Sequence, residues 1–151
     1  MQEFSRSLPM MLYRTLDAVM PRFRQIFNEF GLTEQQWRVL RVLWQHEQIA
    51  FHELADLTLI PAPSLVGVVD RLTKNELAGR RRSEADRRNV FVHATEQGKA
   101  LESKVRPRVD KAYRELRASI DDRTWSALIN GLEEISSTDK VAGGRKKASS
   151  E

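Results

Sequence analysis

Residues 51–74 read FHELADLTLIPAPSLVGVVDRLTK, and this stretch decides the fold. Phe51 to Thr58 has the spacing of a short helix, Leu59 to Ala62 marks a break, and Pro63 suits the first turn of a following helix. The apolar residues of that second helix share one face, which comprises Leu65, Val68, Val69 and Leu72. The pattern predicts two helices joined by a tight turn, the second one amphipathic with a partly basic outer face.

A β-hairpin is predicted directly after these helices. Two short extended runs, 78–83 and 90–94, flank the polar turn 84–89. Residues 80–88 read RRRSEADRR, five arginines against two acids, so most of the formal net charge of +4 lies here. Such a run is commonly a solvated basic loop, and alternatively a surface that faces phosphates. The order helix, turn, helix, hairpin predicts a winged helix-turn-helix, in which the second helix lies in the major groove of DNA and the hairpin is the wing.

A long amphipathic helix is predicted ahead of this lobe. Apolar residues recur at three- and four-residue steps from Leu8 to Phe30, and Gly31 ends the pattern. Pro21 lies inside it, which predicts a kink or a break at that point. Thr33, with Gln36 three residues later, predicts a capping box that opens the next helix, which is largely buried.

Two further helices are predicted after the hairpin. Thr95 opens a long one that Pro107 interrupts, and Asp121 or Asp122 caps the last one. Residues 137–151 show no apolar periodicity and are predicted to form a disordered tail. Both terminal segments carry apolar stripes larger than one small lobe can cover, which favours their burial in a dimer.

Composition limits the classes of function. The chain has 151 residues, 40% of them hydrophobic, which suits one buried domain. No apolar run could span a bilayer and no export signal is recognisable, so we expect a cytoplasmic protein without a membrane partner. Cysteine is absent, which excludes disulfides and thiol switches, and the three histidines are too scattered for a metal site. Without a phosphate-binding loop, a nucleophile elbow or a carboxylate pair, we expect neither a cofactor nor enzymatic activity.

The same residues resemble a known family. Three segments are similar, at the same mutual spacing, to the signature of the MarR regulators: Ser64 to Leu72, Asp86 to Arg88, and Thr95 to Gly98. The resemblance extends over roughly Leu8 to Ile135. Three segments also resemble, within that family, the regulators of homoprotocatechuate degradation: Leu32 to Arg38, Phe51 to Ala55, and Pro63 to Leu65.

This resemblance implies a mainly α protein with a small β-wing, in which N- and C-terminal helices dimerise around a winged helix-turn-helix. Residues 1–136 would form one domain, with the DNA-binding lobe at about 33–94 and dimerisation helices at 5–31 and 95–136. The implied function is a homodimeric repressor that binds a palindromic operator in double-stranded DNA and controls an aromatic-compound catabolic operon. A MarR-type regulator of drug or stress response stays open, as does a winged helix that contacts proteins.

Two positions depart from the family pattern. Glu76 stands where the family usually has glycine at the end of the second helix, and Ala94 stands where leucine usually precedes the threonine. A residue other than glycine is strained in the left-handed conformation, so we expect Asn75 to adopt that conformation instead.

The predicted DNA contacts lie on the second helix and the wing: Ala62, Pro63, Ser64, Val66, Gly67, Arg71, Lys74, Arg82, Arg87 and Arg88. Ser64 and Lys74 are expected to bind phosphate, and Arg71 to bind phosphate or to read guanine. The resemblance implies that Arg88 enters the minor groove with Asp86 orienting it. The alternative is a surface arginine paired with that aspartate.

The resemblance also implies an effector pocket where the dimerisation helices meet the winged lobe. The implied effector is a small aromatic carboxylate or its thioester, and the candidate residues are Arg14, Trp37, Arg41 and His52. An arginine can fork onto a carboxylate, an indole can face the ring, and a histidine can hydrogen-bond a phenolic hydroxyl. Core packing is the alternative for Trp37, and solvent exposure is the alternative for Arg14 and His52.

Overall fold

The computed structural model describes residues 4–82 and 89–144. A short 3-10 turn, Phe4–Arg6, is followed by six α-helices: α1 (Leu8–Glu29), α2 (Glu34–Leu43), α3 (Phe51–Thr58), α4 (Ala62–Lys74), α5 (Glu96–Ala118) and α6 (Asp122–Gly144). Three strands, β1 (Ile49–Ala50), β2 (Ala78–Arg82) and β3 (Val90–Ala94), form one antiparallel sheet in the order β1-β3-β2. The predicted mainly α fold with a small β-wing is confirmed. The chain divides into two compact units, Met1–Asp110 and Lys111–Glu151.

Local capping signals start three helices where the sequence predicts. The Thr33 hydroxyl accepts a hydrogen bond from the Gln36 backbone at 3.2 Å, and the Gln36 side chain accepts one from the Thr33 backbone at 2.8 Å. Pro63 lies in the first turn of α4. Asp121 caps α6 by accepting from the Thr124 backbone at 3.0 Å. Hydrogen bonds from the Thr124 side chain and backbone hold the pKa of Asp121 below its ordinary value.

Helices α1 and α5 each continue through a proline. Of the kink or break predicted at Pro21, the break does not occur, and neither does the interruption predicted at Pro107. A proline removes one backbone donor from a helix and crowds the preceding turn. Apolar burial on both helices offsets this cost, since Phe23 follows the first proline and Val105 and Val109 flank the second.

Three helices end at a residue in the left-handed region of the backbone map. These residues are Gly31 after α1 (φ 68°), Leu59 after α3 (φ 52°) and Glu76 after α4 (φ 59°). An L-residue in this conformation costs about 1–2 kcal/mol, a cost that glycine avoids. The ends of α3 and α4 therefore hold local strain that the end of α1 does not.

The prediction that Asn75 takes the left-handed conformation after α4 is wrong. Its φ is −87°, and Glu76 takes the positive value instead. The Leu77 amide donates to the Leu72 carbonyl at 2.9 Å and the Glu76 amide donates to the Thr73 carbonyl at 3.0 Å. These two bonds form a Schellman motif, which fixes the left-handed position from the helix register rather than from the side chain.

The sheet has one strand more than the predicted hairpin. Strand β2 pairs with β3 from Ala78 opposite Ala94 to Arg82 opposite Val90. Strand β1 adds to the other edge of β3, with Ile49 opposite Val92. Two residues are too few to show an alternating pattern, so the sequence carried no signal for β1.

The core of the first unit lies among α2, α3, α4 and β3, where α2 and α3 pack against each other and each packs against α4 and β3. Its fully or almost fully buried residues include Leu40, Leu43, Leu54, Leu65, Leu72 and Val92. Leu65, Val68, Val69 and Leu72 are all buried, which confirms the predicted apolar face of α4. The opposite face of that helix is therefore left exposed.

In the second unit, α6 continues to Gly144 and so runs past the start of the tail predicted at 137. Residues 145–151 lie outside the described part of the chain. The Arg117 guanidinium lies 5.2 Å from the Trp125 ring centroid and pairs with the Asp122 carboxylate. Across the described ranges, no helix combines the length and the apolar character that a membrane span needs.

Candidate nucleic-acid interface

The outer face of α4 presents the residue types that bind nucleic acid. Six of the residues predicted to contact DNA are exposed on it: Ala62, Pro63, Ser64, Val66, Arg71 and Lys74. Gly67 is half-buried among them, and a side chain added there would lie 3.7 Å from the Arg71 guanidinium. Ser64 lies in the first turn, whereas Arg71 and Lys74 lie in the last one. A hydroxyl group thus lies at the N-terminal end of the helix and two cationic groups lie at its C-terminal end.

Strand β2 adds a second basic element next to this helix. Arg80, Arg81 and Arg82 follow one another on it and are all exposed, and β2 packs against α4. Arg82 is the one predicted wing contact that the structure describes. The other two, Arg87 and Arg88, lie outside the described residues, as does Asp86.

Arg80, which the sequence analysis did not single out, connects the two elements. Its Nη2 atom lies 2.7 Å from Asp70 Oδ1 and donates a hydrogen bond to the Val66 carbonyl at 3.2 Å. Asp70 and Val66 belong to α4, whereas Arg80 is the central residue of β2. An acid on the outer face of an otherwise basic helix was the available signal, but its partner depends on the packing of β2.

A hollow of about 530 Å³ opens on this side of the molecule. It is lined by Phe51, His52, Val66, Arg80, Arg82, Asn89 and Val90. His52, predicted to bind an effector, therefore lies beside two predicted DNA contacts, Val66 and Arg82.

A separate aromatic cluster lies on α1 and α2. The Trp37 ring stacks on Phe27 at 4.9 Å between centroids and meets the edge of Trp44 at 5.4 Å. The Arg41 guanidinium lies 5.8 Å from the Trp37 ring centroid, within the range of a cation–π contact. Trp37 is buried while Arg41 is exposed, so the arginine lies at the outer edge of the cluster.

A second hollow, of about 230 Å³, lies at this edge. Its lining comprises Trp37, Arg38, Arg41, Val42, Gln45, Leu57 and Thr58. Arg38 donates through Nη1 to the Thr58 carbonyl at 3.1 Å, whereas its Nε is buried and has no hydrogen-bond partner within the described residues. Buried N–H groups normally have a hydrogen-bond acceptor, so this hollow favours a ligand that can accept a hydrogen bond from Arg38 Nε. Nothing in the sequence distinguishes Arg38, which is half-buried, from Arg41, the exposed arginine of the same helix.

Of the four predicted effector residues, the structure brings two together. Trp37 and Arg41 line the second hollow. His52 lines the first hollow instead, and Arg14 is exposed on α1 and lines neither of the two. No cluster of three or more histidine, cysteine or acidic residues suited to a metal ion occurs in ranges 4–82 and 89–144.

Comparisons with known proteins agree with one another. A model described as "MarR family" matches residues 32–90. The homoprotocatechuate degradative operon repressor of Escherichia coli is 34% identical over 129 residues, 85% of this chain and 87% of that protein. The structure of NadR in complex with 4-hydroxyphenylacetate is 31% identical, with a TM-score of 0.75 over 89% of this chain and 96% of that one. CouR from Rhodococcus jostii RHA1, bound to p-coumaroyl-CoA, is 25% identical, with a TM-score of 0.76 over the same two shares.

Proposed function

Since the chain belongs to the MarR family of transcriptional regulators, we propose that it is a homodimeric repressor that binds a palindromic operator and releases it when a small aromatic acid binds. An aromatic-compound catabolic operon is the proposed target, in line with the E. coli relative that represses the homoprotocatechuate operon. The proposed site of action is the cytoplasm, where the DNA lies. Enzymatic activity is not part of the proposal, since the relatives are named as regulators and repressors.

One observation carries the DNA-binding half of the proposal. The exposed face of α4 places Ser64, Arg71 and Lys74 beside the arginines of β2, while its opposite face is buried. An amphipathic helix of this kind fits the major groove, and cations on a flanking strand attract the phosphates on either side. The helix would supply base and phosphate contacts, and the strand would supply phosphate contacts.

We propose that a second copy of the chain buries the apolar residues that one copy leaves exposed. On α1 these are Leu8, Met11, Leu12 and Leu16, and in the second unit they are Tyr113, Leu128 and Ile135. Apolar area of this extent on terminal helices favours an interface between subunits. The two-fold symmetry of such a dimer is the reason to expect a palindromic operator.

The hollow beside Trp37 and Arg41 is the proposed effector site. About 230 Å³ suits a single aromatic ring, and the carrier group of a thioester would extend outside the hollow. The Trp37 ring would face the aromatic ring of the ligand, and Arg41, with the free Nε–H of Arg38, would bind its carboxylate. Because NadR was solved with 4-hydroxyphenylacetate and CouR with p-coumaroyl-CoA, we propose a hydroxyphenylacetate, a hydroxycinnamate or its thioester. Arg14 and His52 stay predictions as further ligand contacts.

The DNA-binding half is tested by selecting duplexes from a random pool with the full chain and measuring affinity against salt. We expect a palindrome whose half-site centres lie about 10 bp or a multiple apart, and an affinity that falls steeply with salt. Absence of binding would contradict the proposal and favour a winged helix that contacts proteins. A single half-site bound by a monomer would contradict the dimer.

The effector half is tested by calorimetry with a panel of phenolic acids and their thioesters, run beside DNA titrations. A saturating effector should lower DNA affinity about 5- to 150-fold. Arg41→Gln should reduce this response while the DNA affinity of the ligand-free protein is kept, and Arg106→Gln on α5 is the matched control. If DNA binds but no panel member does, the aromatic effector is wrong, and a regulator of drug or stress response is favoured.

A further inference from the structure

The contact between Arg80 and α4 adds a polar connection between two packed elements that the chain links through a short turn. The chain passes from α4 to β2 through residues 75–77, at the C-terminal end of the helix. Arg80 reaches back from the centre of β2 to Asp70 and to the Val66 carbonyl, both further toward the N-terminus of α4. These acceptors lie one helical turn apart. The guanidinium therefore forms a second connection, which resists rotation of the strand about the turn.

The charges of this pair do not explain its presence at a DNA-binding surface. Asp70 is the one acidic residue between 62 and 74, and its side chain is 56% exposed on the proposed DNA-binding helix. An unpaired carboxylate there would repel phosphates, and an unpaired Arg80 would attract them. At 2.7 Å each neutralises the other, so the pair contributes little net charge to DNA binding.

We propose that Asp70 and Arg80 are positioning residues that set the spacing between α4 and β2, and that this spacing determines how well the protein discriminates its operator from other DNA. The inference rests on the proposed DNA-binding function. Base contacts from α4 and phosphate contacts from β2 form together only when the two elements match the groove. Contacts with the phosphates of random DNA tolerate a change of spacing, because they carry no sequence information.

The pair is half-exposed, so solvent weakens its contribution to folding. Arg80 is 36% exposed and Asp70 is 56% exposed, and surface ion pairs of this kind contribute little to the free energy of unfolding. Removing the pair should leave the melting temperature close to that of the wild type. A loss of operator discrimination would then be separable from a loss of fold.

Asp70→Asn gives a test in which two explanations predict opposite signs. If Asp70 only repels DNA, its neutralisation should strengthen binding to every duplex. If it positions Arg80, affinity for the selected duplex should fall about three- to tenfold, while affinity for a random duplex of equal length stays constant or rises. The experiment uses the full chain, the duplex that the wild type selects from a random pool, and anisotropy at several salt concentrations. Asp110→Asn, an exposed carboxylate on α5, is the control for the charge change.

Arg80→Gln completes a double-mutant cycle. The positioning role predicts that the double variant discriminates no worse than the poorer single variant, because both changes break one contact. It also predicts that the double variant, in which neither charge is left unpaired, keeps the wild-type salt slope on random DNA. A fall of about one unit in that slope, with equal losses on both duplexes, would show that Arg80 binds phosphate directly and would overturn the inference. If the wild type itself binds no duplex, the proposed function fails first, and that outcome is distinct.

Discussion

Two regions of the first unit connect neighbouring elements in opposite ways. At the α4–β2 surface, Arg80 reaches Asp70 through charged and half-exposed groups. At the α2–α5 junction, the Trp44 indole donates to the Gly98 carbonyl at 2.9 Å, and the Gly98 Cα faces the Leu77 carbonyl oxygen with no room for a side chain. The Arg80–Asp70 contact can be lost without a packing defect. The approach of Gly98 to Leu77 is a close backbone contact, which leaves no room for change.

This difference separates two consequences of mutation. Charged contacts at the surface exchange readily with water, so their loss changes stability little, and we expect it to affect mainly the proposed DNA binding. Close backbone contacts inside the fold cannot relax without moving a helix, so their loss changes stability first. Within the first unit, we therefore expect substitutions in one region to change function and substitutions in the other to destabilise the fold.

The largest effect on stability is expected for Gly98→Ala. The added Cβ would overlap the Leu77 carbonyl oxygen, and because this is backbone, α5 must shift. We expect a loss of about 3 kcal/mol or more in the free energy of unfolding, measured by denaturant titration at fixed protein concentration.

Gly131→Ala is the control for this change. It is also a glycine within a helix, but nothing lies within 4 Å of an added Cβ, and alanine should stabilise α6 by up to about 1 kcal/mol. If the two variants were equally stable, the close backbone contact at Gly98 would not determine stability, and the prediction would be wrong.

A smaller effect, of opposite sign, is expected for Glu76→Gly. Glycine relieves the strain of a φ of 59° but adds freedom to the unfolded chain, for a net gain of about 0.5–1 kcal/mol in thermal or denaturant unfolding. The neighbouring change Asn75→Gly, at a φ of −87°, relieves nothing and should cost about 0.5–1 kcal/mol. If the free energy of unfolding changed in the same direction in both variants, the assignment of the left-handed residue would be wrong.

The smallest effect on stability is expected for Lys74→Ala on the exposed face of α4. The free energy of unfolding should change by less than about 0.5 kcal/mol. The slope of log affinity against log salt should nevertheless fall by about 0.9, since one phosphate contact is lost. Lys104→Ala, on the exposed side of α5, removes the same charge and should leave that slope unchanged. A shared decrease would indicate a nonspecific effect of net charge.

Elements whose signals are local were predictable from the sequence. The capping box at Thr33, the proline in the first turn of α4 and the apolar face of that helix each depend on residues within one or two turns. The exposed residues on the opposite face of α4 were predictable for the same reason, because periodicity assigns every position of an amphipathic helix to one side.

Features that depend on distant partners were not predictable. Strand β1 exists only because β3 pairs with it about forty residues later. The left-handed Glu76 was missed for another reason, since the hydrogen bonds that close α4 are local but residue preferences favoured asparagine. The ion pair of Asp70 with Arg80 likewise depends on how β2 packs against the helix. The predicted effector residues were grouped by family resemblance and residue type. The structure separates His52 from Trp37 because His52 lies at the start of α3, whereas the end of α3 lines the hollow beside Trp37.

The short strand β1 has a consequence for how the wing can change over evolutionary time. Its pairing of Ala50 with Phe91 closes a loop of chain that contains α3, α4, β2 and the wing tip. The entropy of closing a loop rises only with the logarithm of its length, so even a doubling costs about 0.6 kcal/mol. Insertions and deletions between β2 and β3 therefore change the free energy of folding only slightly. Related proteins could therefore differ in the number of residues between β2 and β3 while β1 stays paired with β3.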